Sequence, residues 1–149
     1  MTIHRLTEKL YISPQISPAD AAEAAKLGIR SVICNRPDGE EPGQPTAQQT
    51  ADWLADAGIQ SFHHQPVLAP QAGADDARQF AAQLEAADGA VLAYCRTGTR
   101  SALLWGLEQA AAGMPVAEII AAAQQAGVDL NNFTERLQAA AHTDSNKPL

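Results

Sequence analysis

Apolar and polar positions change period several times along the chain, and the changes divide it into elements. Short, nearly unbroken apolar runs lie at Lys9–Ile12, Ile29–Cys34, Ile59–Val67 and Ala90–Tyr94. Runs of that kind predict strands, and those at Ile29 and Ala90 suit parallel strands buried on both faces. Between them apolar residues recur at helical spacing. A first helix starts where Ser17 can cap, Pro18 suits the first turn and Asp20 completes a capping box. A second starts at Thr46 with Gln49 three residues on, and carries Ala47, Ala51, Leu54 and Ala57 on one face. A third is expected from Asp75 to Asp88, with Ala77, Phe80, Ala81 and Leu84 on one side. Gly28, Gly58 and Gly89 follow these three periodic stretches, where a left-handed residue would end each helix.

Strict alternation of strand and helix predicts an α/β fold: a central, mostly parallel four-stranded sheet flanked by about six helices. After Cys95 the pattern is helical only. One helix is expected over Ser101–Ala112, one from Pro115 with Val116, Ile119, Ile120 and Ala123 inward, and one over Leu130–Ala141. Residues 1–141 read as a single domain, and 142–149 as a polar tail that frays. The Pro- and Gly-rich stretch Arg36–Pro45 reads as a loop at the C-terminal end of the second strand, the sheet edge at which open α/β folds bind ligands.

Composition narrows the partners. Ten basic against seventeen acidic residues give a charge of −7, which argues against a nucleic-acid backbone or an anionic membrane as partner. No apolar run is long enough to span a bilayer. Two cysteines exclude a disulfide framework, and no CxxC pair points to structural zinc; neither a metal nor a cofactor is expected. The first residues, Met1 to Arg5, lack the apolar region of a signal peptide, so a cytoplasmic location is expected.

The chemistry concentrates at one turn. The strand Ala90–Tyr94 ends in Cys95, and Arg96-Thr97-Gly98-Thr99-Arg100-Ser101 leads into an apolar helix. A thiol at a helix N-terminus, with Arg96 and Arg100 beside it, is favoured as the nucleophilic thiolate. Backbone N–H groups from Arg96 to Arg100, through Thr97, Gly98 and Thr99, can cradle an anion. Gly98 lets the chain curl. Arg100 can grip two oxygens of a tetrahedral oxyanion, and Ser101 can donate to the sulfur and help it leave. The bland reading of Cys95 is a buried structural thiol; Cys, Gly and two Arg within six residues favour the nucleophile.

Two resemblances meet here. Cys95-x-x-Gly98-x-Arg100-Ser101, preceded by Tyr94, resembles the active-site loop of single-domain rhodaneses, with four residues between Cys and Arg where tyrosine phosphatases have five. Elsewhere, Leu10-Tyr11-Ile12-Ser13, the segment Leu27–Ile33, Trp105-Gly-Leu and Met114-Pro-Val-Ala-Glu are similar to dual-specificity phosphatases. Both features resemble the phosphatase-like domain of bacterial beta-lactamase hydrolase-like proteins, over about Ile3 to Phe133, including Val32–Glu40. That likeness implies a dual-specificity-phosphatase-like fold and a hydrolase acting on phosphate monoesters through a phosphocysteine. It also implies a small oxyanion or phosphorylated substrate, and a functional link to a metallo-hydrolase or to sulfur metabolism.

The resemblance places a general acid just after the third strand, where Leu68 and Ala69 stand. Asp75 and Asp76 are the nearest candidates, though both suit a helix N-terminus; Asp38, Glu40 and Glu41 are others. An absent acid favours the alternative, a sulfurtransferase or sulfur carrier working through a Cys95 persulfide; a third reading is an anion-binding module. In phosphatases of this fold the strand of Cys34 neighbours that of Cys95, so Cys34 is either a redox partner of Cys95 or a small buried hydrophobe. His63 and His64, adjacent on a strand, point to opposite faces and do not form a ready metal site.

Overall fold

The computed structural model describes residues 2–145. Its sheet has five strands in the order β1-β2-β5-β3-β4. β2 (Leu10–Ser13), β3 (Ile29–Cys34), β4 (Ser61–His64) and β5 (Ala90–Tyr94) are the four parallel strands the apolar runs predict. β1 (His4–Arg5) is an addition: a two-residue antiparallel edge pairing with Tyr11 and Ile12. Its residues are polar and exposed, so no hydrophobic pattern announces it. β4 is shorter than the expected Ile59–Val67. Its ladder nevertheless continues loosely, with the Gln65 and Val67 N–H groups donating to the Cys34 and Asn35 carbonyls.

Side chains alternate across the sheet with the strand period of two. Leu10, Ile12, Ile33, Val91 and Ala93 face a core built with α3 (Ala74–Ala86), α4 (Thr99–Ala111), α5 (Val116–Gln125) and α6 (Thr134–Ser145). Val32, Cys34, Leu92 and Tyr94 face the other core, closed by α1 (Pro18–Lys26) and α2 (Ala47–Asp56). Both expected capping boxes form. Ser17 accepts from the Asp20 N–H while Asp20 accepts from Ser17; Thr46 and Gln49 exchange the same pair of bonds.

Gly28 and Gly58 take the left-handed conformation, at φ 83° and 99°. Gly89 does not: α3 ends at Ala86, and Ala87 leaves in an extended conformation. A Cβ there would lie 2.9 Å from Cδ of the exposed Arg30 side chain, which would have to shift to admit it. The last helix starts after a short turn at Asn131–Phe133 and continues past Ala141 to Ser145; the rest of the expected polar tail lies outside the described residues.

α4 is buried from Ser101 to Leu107, so it is apolar nearly all round. Gly106 sets how closely α5 and α6 approach it, because a Cβ would sit 3.0 Å from Ile119 Cγ2 and 3.2 Å from Leu137 Cδ2. Gly106→Val is therefore expected to cost about 1–3 kcal/mol by overpacking, read as a lower urea midpoint with an unchanged m-value.

Candidate active site

β5 lies between β2 and β3, and its C-terminal end delivers Cys95 to the edge where the loops after β3 and β4 also arrive. Cys95 has no solvent exposure, and its sulfur accepts the Gly98 N–H at 3.1 Å. Gly98 sits at φ 90°, immediately before α4, and a Cβ there would meet the Ser13 carbonyl at 3.4 Å. A side chain would be strained by that backbone conformation, which explains glycine at this point of the loop. Thr97 donates to Thr99 across the same turn.

Arg100 does not reach freely into solvent. Its Nη1 and Nη2 donate to Glu40 Oε2 and Oε1 at 2.7 and 2.9 Å, a bidentate pair, and Nη1 also donates to the Val67 carbonyl at 3.1 Å. The Glu40 carboxylate raises the proton affinity of Arg100, against the effect of burial and with a smaller contribution from the Cys95 sulfur. Reciprocally, Arg100 holds the Glu40 carboxyl below the usual carboxylate range. Glu40 is shared: Oε1 also accepts from Arg36 Nε at 3.0 Å.

Arg36 is the largest fully buried side chain, at 1% exposure. It donates to Gln15 Oε1 at 3.0 Å and to Glu41 Oε1 at 2.7 Å besides Glu40. Burial opposes its charge, but the hydrogen bonds to Glu41 and Glu40 outweigh that and stabilise the guanidinium. Arg96, more than half exposed, stands 3.8 Å from Glu41. Glu40, Glu41, Arg96 and Arg100 together line a cleft of about 430 Å³ over the cysteine loop.

Ser101, wholly buried, donates to Asn35 Oδ1 at 2.8 Å rather than to the sulfur, and Asn35 Nδ2 donates to the Gln65 carbonyl. This chain ties the start of α4 to the ends of β3 and β4. Asp75 and Asp76 lie in the first turn of α3. Asp75 is exposed and paired with Arg78; Asp76 accepts from the Gly73 N–H, the capping role its position implies. Asp38 accepts from the Ala47 N–H at the start of α2. None of Asp75, Asp76 and Asp38 lines the cleft.

Cys34 and Cys95 are both free thiols. Cys34 is 2% exposed, on the sheet face covered by α1 and α2, and its thiol donates to the Arg36 carbonyl. Burial pushes the Cys34 thiol up, and burial likewise raises its neighbour Tyr94. His64 bonds the Arg36 carbonyl through Nε2 at 2.9 Å. Among the described residues no group of three or more His, Cys, Asp or Glu side chains is placed to hold a metal ion, and no helix is long and apolar enough to cross a membrane. Glu40, Arg36 and Gln15 are the site residues that sequence reasoning left unconnected; the dense string Arg36-Pro-Asp-Gly-Glu40-Glu41 was the available signal.

Residues 2–112 match the phosphatase-like domain of beta-lactamase hydrolase-like proteins. The chain belongs to that family. A beta-lactamase hydrolase-like protein of Agrobacterium fabrum is 38% identical over 109 residues, which are 73% of this chain and 25% of that protein. The chain thus spans about a quarter of that relative's length. A candidate phosphatase from Neisseria meningitidis Z2491, known as a crystal structure, is 55% identical and superposes with a TM-score of 0.92, covering 94% of this chain and 99% of that one. A cysteine-to-serine form of TpbA from P. aeruginosa, solved with phosphotyrosine, shares the fold at 17% identity, with a TM-score of 0.71 over 98% of this chain and 91% of that one. Family and fold together make this a phosphatase-like domain with the architecture of dual-specificity phosphatases.

Proposed function

We propose that the domain hydrolyses phosphate monoesters through a phosphocysteine on Cys95. The observation that carries this reading is the cysteine loop, in which Cys95 accepts the Gly98 N–H while Arg100, five residues on, holds an oxyanion, the Glu40 carboxylate, with two parallel N–H donors. Cys95 attacks phosphorus. Arg100 and the backbone of Arg96–Arg100 stabilise the charge that spreads over the equatorial oxygens. Arg96 adds positive potential at the mouth. Ser101 and Asn35 fix the start of α4, so the helix N-terminus points at the reacting group. Water then hydrolyses the phosphocysteine. The likeness to a protein solved with phosphotyrosine supports a phosphorylated substrate.

The four-residue spacing between Cys95 and Arg100 keeps the sulfur-transfer reading as the competitor. Acid quenching during turnover of an aryl phosphate, followed by peptide mass analysis, is expected to find a phosphoryl adduct on the Cys95 peptide. A persulfide formed there from thiosulfate, with thiocyanate released on adding cyanide and no phosphoryl adduct, would overturn the proposal. Sulfate binding with neither adduct would leave an oxyanion-binding module.

A further inference from the structure

We propose that Glu40 is the proton-donating carboxyl of this site: it holds Arg100 in the free protein, yields that guanidinium to the incoming phosphoryl oxygens, and protonates the departing ester oxygen. The inference rests on the phosphoryl-transfer reading above and deepens it.

The geometry carries it in three steps. First, the Glu40 carboxylate occupies both forward donors of Arg100, the pair a tetrahedral oxyanion needs, so carboxylate and phosphoryl group compete for one guanidinium. Cys95 is meanwhile without solvent exposure, so a substrate reaches the sulfur only by rearranging what lies over the loop. Second, Glu40 has a second anchor. Its Oε1 is held by Arg36 Nε, and Arg36 is fixed by burial and by Gln15, so a displaced Glu40 stays at the cleft rather than leaving it. Third, Glu41 lines the cleft but bonds Arg36 and not Arg100, and the carboxyls outside the cleft are committed elsewhere. Asp76 caps α3, Asp75 pairs with Arg78, Asp38 serves α2, and the segment after β4 carries Leu68 and Ala69.

The charged and titratable groups facing Glu40 are Arg36 at the end of β3, Arg100 on α4, Glu41 on its own loop, Arg96 on the cysteine loop and Cys95 beneath Arg100. In the free protein Arg100 stabilises the carboxylate. Exchange of Arg100 for a phosphoryl dianion removes that partner and adds a like charge, so the proton affinity of Glu40 rises when substrate arrives. In the first step the S–P bond forms as the P–O bond to the ester oxygen breaks, and the Glu40 proton goes to that oxygen. The resulting carboxylate then takes a proton from the water that attacks phosphorus. The P–S bond breaks, phosphate leaves and the Cys95 thiolate is restored; the proton that Glu40 took up from solvent when substrate displaced Arg100 returns to solvent as Arg100 pairs again with the carboxylate. Water is the only co-reactant.

The test compares Glu40→Gln with the unaltered protein on two substrates, an aryl phosphate with an acidic phenol and a simple alkyl phosphate. Loss of a general acid is expected to lower kcat on the alkyl ester by about 10²–10⁴-fold, with a much smaller loss on the aryl ester. The alkaline limb of the kcat–pH profile should disappear, and sulfate should inhibit the variant at lower concentration, because its competitor for Arg100 has lost its charge. Glu40→Asp, which keeps a carboxyl, should recover part of the alkyl-ester rate and guards against a folding defect. Equal losses on the two esters, weaker sulfate inhibition, or a leaving-group effect appearing in Glu41→Gln instead would overturn the assignment. If the unaltered protein forms no phosphoryl adduct on Cys95, the underlying reading fails. If it forms one and Glu40→Gln shows no leaving-group effect, only this inference fails.

Discussion

Cys95→Ser is expected to abolish turnover of aryl phosphates, with a loss of about 10⁴-fold or more in kcat, in the range seen when a covalent nucleophile is removed. The fold should tolerate the change. Serine is nearly isosteric, and its oxygen can still accept the Gly98 N–H that now reaches the sulfur. The loop therefore keeps its shape while the group at its centre becomes a far weaker nucleophile at neutral pH. Binding should survive, since Arg100 and the loop amides are untouched, so sulfate or phosphate should still protect the variant against thermal unfolding. Arg100→Lys gives the contrasting pattern. One ammonium cannot reproduce two parallel N–H donors, so both oxyanion protection and kcat should fall. Thermal melts with and without sulfate, run beside initial rates, separate the two variants. Turnover persisting in Cys95→Ser would remove the phosphocysteine from the mechanism.

Legibility in the sequence follows the range of the interactions. Capping boxes at Ser17 and Thr46 could be read directly, because each closes within three residues. The shape of the cysteine loop was equally legible, since cysteine, glycine and arginine all lie within six positions. β1 was not: His4 and Arg5 become a strand only by pairing with Tyr11 and Ile12, a tertiary event with no local pattern. Gly89 departs from the expected helix stop because α3 ends at Ala86 and Ala87 already leaves in an extended conformation, so no left-handed residue is needed there. The role of Ser101 was expected next to the sulfur, and its hydroxyl turns instead to Asn35, 66 positions away. Glu40 was visible as one acidic residue among three on a loop. What singles it out is Arg100, 60 positions on, and that contact exists only once β3 and β5 lie side by side.

The same network that builds the site should also govern stability. Arg36→Met keeps most of the buried volume but removes the partner of Gln15, Glu40 and Glu41 at once. Removing one member of a buried ion network typically costs about 3–5 kcal/mol. Here Glu41 is half-exposed and can return to water, and Glu40 keeps Arg100, so a loss near the bottom of that range is expected in urea unfolding at neutral pH. The pH dependence identifies the cause. The Glu40 carboxyl is held low in the folded protein, mainly by Arg100 and also by Arg36. Its contribution is therefore fully present above the unfolded carboxylate value of about 4.3 and is lost as pH falls through the lower folded value. The stability gap between Arg36→Met and the unaltered protein should accordingly narrow below that range, as Glu40 becomes protonated in both. A gap of constant size from neutral pH down to acid would mean that Arg36 contributes by packing its stem, not by charge. Combining Arg36→Met with Glu40→Gln separates the pair further: the double change should be less costly than the sum of the single ones, because the two side chains share one hydrogen bond and one charge balance.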